Sequence, residues 1–271
     1  MSIRPVVQPV TRPVTLPPFQ PAGFKKAFSP AELFSSGEQG GWWDPSDLSS
    51  MFQDSAGTIP VTAAGQPVGL MLDKSGNNNH VSRTTGNRPI LQVNGPVWYL
   101  EFAGTTNNLM SPDINFTATN SMSVFTGMGK FNDAAARMLL ELGPSIAANN
   151  GSFAILAPDA AAPTFRSQFR GTIQSDVLAT GYPTGQQYVL AAQCTIGTSQ
   201  SLRVNGAVNN GDALQGNGNF GNYPLNIGMR ADGSLSFRGY LCGLVVRGAV
   251  TTPQQVANIE TWLGVKSGVV L

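Results

Sequence analysis

Apolar and polar residues alternate along most of the chain after residue 97, and that period of two predicts strands. Val97–Phe102, Ser121–Phe131, Arg137–Leu142, Ser152–Leu156 and Thr164–Phe169 each read as one, after a compact Val68–Leu72 segment. The clearest case is Gln187–Ile196, where Tyr188, Leu190, Ala192, Cys194 and Ile196 share one side of a half-buried strand. Ser201–Val204 runs into Asn205-Gly206, the strongest short hairpin signal in the chain. Leu225, Ile227 and Met229 alternate next, and Leu235–Val246 turns apolar on both faces, as a central strand covered on both sides should. Many short strands between Gly, Asn and Pro turns, with no helices among them, predict an all-β sandwich.

Helical signals sit only at the ends. Ser29-Pro30-Ala31-Glu32 and Thr252-Pro253-Gln254-Gln255 are both capping boxes with proline at the first helical position. The second helix has a face of Val256, Ile259 and Leu263 with Trp262 beside it, and is expected to cover a sheet edge or end. The first is expected to link an N-terminal arm to the body.

The stretch Gly40–Leu91 organises the body. It opens on a turn, Trp42-Trp43-Asp44-Pro45, and breaks again at Asp73-Lys74-Ser75-Gly76-Asn77, where Gly76 or Asn77 can take positive φ. Each tryptophan can bury roughly 150–250 Å², an upper bound of about 4–6 kcal/mol, so core packing is its expected role. Upstream, prolines at 5, 9, 13 and 17 recur every fourth residue, which bars a helix or central strand. That arm should be extended, on the order of 70 Å at ~3.1 Å per residue. It has too few self-contacts to order alone, yet Val6, Val7, Val10, Val14, Leu16 and Phe19 interleave with the prolines. An anchor ordered against a partner is the reading that accounts for them, with Val6, Val10, Arg12, Val14 and Phe19 as its contacts. Arg4, Arg12, Lys25 and Lys26 suit an acidic partner surface. The expected organisation is an arm with linker helix over 1–39 and a globular domain over 40–271.

Composition narrows the functional classes. Among 271 residues only 11% are charged and the formal net charge is +1, without the basic stripe of a nucleic-acid binder. No apolar run approaches the ~20 residues of a bilayer span, and no apolar signal core opens the chain, so a soluble, unprocessed protein is expected. Cys194 and Cys242 are expected to be buried small hydrophobes rather than a disulfide.

The segments WWDPSDLSSMFQDSAG, DKSGNNNH and ANIETWLGVKSGV, in that order, resemble the laminin-G/concanavalin-A-like lectin domains of tailed-phage and prophage proteins, over Gly40 to Leu271. The resemblance implies a jelly-roll sandwich of two antiparallel sheets, used for glycan or protein contact. The arm's PVTRPVT is similar to leading segments of some phage structural proteins. Together they imply a non-enzymatic virion protein, made in the host cytoplasm: a short fibre, spike or decoration on head, collar or tail. Its partners would be capsid, portal/adaptor or tail subunits, and phage appendages by analogy imply a homotrimer. The competing readings are a free-standing lectin module and, behind it, a glycan hydrolase with a divergent site.

Candidate sites follow. Related jelly rolls hold calcium in Asp/Asn loops, which makes Asp73 and Asn77 metal candidates, although one carboxylate is few for calcium and an Asp/Asn turn reads as simply structural. Tyr182 in ATGYPTG, and Phe220 with Tyr223 in NGNFGNYP, are aromatic loop tips suited to glycan or partner contact. No catalytic constellation appears. Glu101 and Glu141 are lone strand carboxylates, His80 is the single histidine and reads as a turn residue, and no zinc cluster, P-loop or dinucleotide fingerprint occurs.

Overall fold

The alternating segments fold into two antiparallel sheets. The structure, a computed structural model, describes residues 27–84 and 86–271. The arm positions Val6, Val10, Arg12, Val14 and Phe19 lie outside the described residues.

Strands are numbered in chain order. The first sheet runs β15 (Ala207–Gly211), β14 (Ser199–Val204), β13 (Gln187–Thr195), β8 (Ser121–Lys130), β17 (Arg238–Arg247), β6 (Val97–Ala103) and β5 (Ile90–Asn94). β1 (Gly40–Trp43) pairs with the end of β17 that β6 leaves free. The second sheet runs β12 (Gln174–Thr180), β11 (Thr164–Arg170), β10 (Phe153–Leu156), β9 (Met138–Leu142), β16 (Asn222–Ile227), β7 (Leu109–Asn115), β4 (Val81–Ser82), β3 (Leu70–Met71) and β2 (Met51–Phe52). The architecture is the all-β sandwich that the sequence pattern predicts, in the jelly-roll form that the resemblance implies, closed by helix α1 (Pro253–Ser267).

The main core lies between the sheets. Leu100, Phe102, Val124, Leu190 and Leu244 of the first meet Leu140, Phe153, Phe165, Phe169 and Leu225 of the second. The hairpin at Asn205-Gly206 forms as expected, with both residues at positive φ (47° and 79°).

A second core covers the outer face of the first sheet. There α1 lays Val256, Ile259 and Leu263 over Phe125, Val189, Ala191 and Val245. The helix therefore covers a sheet face, not an edge or end, and β13 is buried on both sides where one was expected. The cause is visible in the strands: the residues between the core positions of β13 are small and apolar. Gly127 and Gly243 stand opposite each other in the β8/β17 register and let the helix approach closely; a Cβ on them would meet Ser267 at 3.2 Å and Leu263 at 3.1 Å. The predicted Thr252/Gln255 capping box is present on α1, and Gly268 closes its other end at φ 72°.

Trp42 and Trp43 belong to a strand, β1, and not to the turn expected there. Alternation then sends them to opposite cores. Trp43 is buried between the sheets, while Trp42 packs edge-on against Trp262 of α1, centroids 5.8 Å apart. The short 3-10 helix Pro30–Phe34 places Leu33 and Phe34 in the outer core, so it belongs to the packed body rather than to a linker. Cys194 and Cys242 are free and buried.

Candidate functional site

Helix α1 covers only part of the outer sheet face. Where it stops, the adjoining ends of β5, β6, β17 and β8 and the turn before β13 form a cleft of about 400 Å³. Strand periodicity decides what lines it. Leu100 and Phe102 point into the core, so Tyr99 and Glu101 of β6 point outward. Leu241 points inward, so Tyr240 of β17 points outward, opposite Glu101 in the register. The Tyr240 ring lies over Gly129 of β8, where any Cβ would overlap its Cζ and Oη. Tyr99 stands 4.9 Å from Tyr240 and Phe131 5.5 Å, centroid to centroid, which joins three rings into one strip. Phe131 is 43% exposed.

Polar groups surround the strip. The side chains of Asn94, Thr184 and Gln187 and the hydroxyls of Tyr99 and Tyr240 make no hydrogen bond to other described residues, so they remain open to a ligand. Burial, then the neighbouring acidic groups of Cys242, Tyr99 and Tyr188, pushes the Tyr240 phenol up to about 12. Burial and then Glu101 likewise raise that of Tyr99. At neutral pH both phenols therefore carry their proton and can donate as well as accept.

Lys130 contributes to the wall but turns its charge away. It is fully buried, its Nζ donates to the carbonyls of Tyr182 (2.8 Å) and Thr164 (3.4 Å), pairs with Asp133 at 2.6 Å, and sits 4.6 Å over the Phe165 ring. Burial lowers its pKa, and Asp133 opposes that shift.

The loop aromatics do not assemble into a site. Phe220 is a core residue, 1% exposed, packed edge-on against Phe169 at 6.2 Å. Tyr182 seals the core edge against Phe165 (5.7 Å) and Tyr188 (5.6 Å). Tyr223 lies against Gly221 and donates its hydroxyl to the Asn150 carbonyl at 3.1 Å. Of the three, only Tyr182 comes near the cleft, beneath it, through the carbonyl held by Lys130.

Asp73 and Asn77 do not fit a calcium site. The Asp73 carboxylate already accepts from the Trp42, Ser75 and Asn79 N–H groups and from the Ser75 hydroxyl, all between 2.8 and 2.9 Å. A cation there would face those donors. Asn77 gives its amide to the Glu38 and Gly40 carbonyls. The turn is a bolt that fastens β1 to the body, with positive φ at Gly76 and Asn78. His80 completes it by accepting the Asp73 N–H at Nδ1, 3.0 Å away. Among the described residues no three His, Cys, Asp or Glu side chains cluster as a metal site.

Glu101 and Glu141 lie in different sheets. Glu141 is fully buried, accepts from the Ile146 and Ala231 N–H groups, and has Arg230 at 3.6 Å. Among the described residues no carboxylate pair lines the cleft.

No family model matches the sequence, and no curated protein matches it. Solved structures do match. The receptor-binding domain of botulinum neurotoxin D superposes with a TM-score of 0.55 at 10% identity, over 71% of this chain and 50% of that one. A sialidase from Trypanosoma rangeli gives 0.54 at 10% identity, over 84% and 33%. The binding domain of botulinum neurotoxin DC, solved in complex with SialylT, gives 0.52 at 12% identity, over 71% and 48%. The fold shared with them is a two-sheet β-sandwich. At these identities the likeness is one of fold, and the chain spans half or less of each of these proteins.

Proposed function

We propose that this chain is a non-enzymatic glycan-contacting module borne on a tailed-phage virion, with the β-sandwich outward and the N-terminal arm as its anchor. The observation that carries the glycan reading is the strip of Tyr99, Tyr240 and Phe131 inside a rim of unpartnered amides and hydroxyls. An aromatic face takes the C–H side of a pyranose, and a rigid polar rim takes its hydroxyls. The lectin-like fold supports the same class. The non-enzymatic reading is supported, against hydrolases that work through two carboxylates, by the separation of Glu101 from Glu141 and by the lack of a carboxylate pair at the cleft among the described residues. The virion reading is supported by the motif resemblance and by the proline-interleaved arm, whose partners would be capsid, portal/adaptor or tail subunits in a homotrimeric appendage.

Two measurements test it. Wild type and Tyr240→Ala are compared on a glycan array, and loss of binding in a variant that keeps its circular dichroism is the expected result. Deleting residues 1–24 should leave the sandwich folded and stop its incorporation into particles. Full incorporation of the truncated chain would remove the anchor and leave a free-standing lectin.

A further inference from the structure

We propose that the aromatic cleft selects uncharged glycans and discriminates against acidic ones such as sialylated or uronic-acid sugars; this rests on the glycan-contacting reading above. A carboxylate entering a cleft must replace its water with cations or N–H donors aimed at it. Among the described residues the one cation in the wall, Lys130, is held inside by Asp133, two carbonyls and the Phe165 ring. Its release would break that ion pair and leave the Asp133 carboxylate and two carbonyls without their donor.

The groups that do face the strip favour a neutral ligand. Glu101 points outward on the same face as Tyr99, directly across from Tyr240, and is held by the Gln92 amide at 3.1 Å. Its charge is felt at the ring, where it raises the Tyr99 phenol after burial does. The last turn of α1 ends against the wall, where a Cβ on Gly268 would meet Val97 at 3.3 Å, and it brings the carbonyl end of a helix rather than an N-terminus. Neither Glu101 nor Arg238 lines the cleft itself; of the two it is Glu101 whose charge registers at a lining ring, Tyr99, while Arg238 lies with its stem over Gly104. The rim offers amides and hydroxyls, which pair with sugar hydroxyls in both directions.

The test uses the full chain on an array that holds neutral glycans and the same glycans carrying a terminal sialic or uronic acid, followed by calorimetric titration of matched pairs. Neutral members should bind in a Tyr240-dependent manner, and their acidic counterparts about threefold to tenfold more weakly at low salt, the order of effect of one nearby unit charge at a solvent-exposed site. Glu101→Gln and added salt should each narrow that gap. Acidic glycans that bind equally well or better through Tyr240 would overturn the selectivity and leave glycan contact standing. An array without any Tyr240-dependent binding would overturn both.

Discussion

The phenol of Tyr240 rests on the backbone of Gly129, one strand away, in the space that any other residue's Cβ would fill. There the ring lies over the neighbouring strand, its centroid 5.5 Å from that of Phe131. Gly129→Ala must therefore lift or turn Tyr240. We expect glycan affinity to fall at least tenfold and stability by about 1–3 kcal/mol, the usual cost of overpacking. Calorimetric titration beside urea unfolding separates the two effects; unchanged affinity would mean the ring's position is irrelevant.

Tyr182 and Tyr223 make the opposite prediction. Their rings and Tyr223's hydroxyl are engaged within the fold. Alanine at either position should lower stability by about 1–3 kcal/mol and leave neutral-glycan affinity within twofold, whereas Tyr240→Ala should lose about tenfold in affinity, the worth of one aromatic contact. A binding defect in a fully folded Tyr223→Ala variant would move the site to the loops.

Asp73 carries the attachment of β1. Asp73→Ala leaves three N–H groups and a hydroxyl without their acceptor and should cost about 2–4 kcal/mol. A chelator should leave the melting temperature of wild type unchanged. A drop of several degrees on chelation, restored by calcium, would show that the turn holds a cation after all.

Glu141 gives a pH signature. Burial raises its pKa above the ordinary 4.5, against the lowering by the Ala231 and Ile146 N–H groups and Arg230. A group with a raised folded pKa contributes its stability below the unfolded value and loses it as pH rises through the folded one. Wild type should therefore gain on Glu141→Gln as pH falls from 7 toward 4.5, read as the difference in urea midpoints. Glu38 has the reverse sign. Burial raises it, but the hydrogen bond from Arg247 leads the effects that leave it lowered overall, so its contribution persists to below 4.5.

Local sequence carried the sandwich because its signals are local. Tyr188 to Ile196 alternate, Asn205-Gly206 takes the two positive φ values a tight hairpin needs, and Thr252 and Gln255 cap α1 reciprocally. The seat of α1 is not local. Val189 and Ala191 read as solvent-side positions until a helix some 60 residues away in sequence lands on them. The site was hidden for the same reason. Periodicity divides Tyr99 and Tyr240 from Leu100 and Leu241, but only the reach of α1 decides which outward aromatics stay open. Loop composition misled in the other direction, since the glycines around Phe220 let that loop fold inward: Gly151 and Gly221 pass so closely that a Cβ on Gly151 would come 2.5 Å from the Gly221 nitrogen.

A cleft built on strand ends inherits the stiffness of the sheet. A ligand settling on Tyr240 has little backbone to immobilise, so its binding should carry a small entropic penalty. Residues that face away from both cores are also those the fold can best spare. Exchanging Asn94, Thr184 or Gln187 would retune ligand preference without unseating the scaffold.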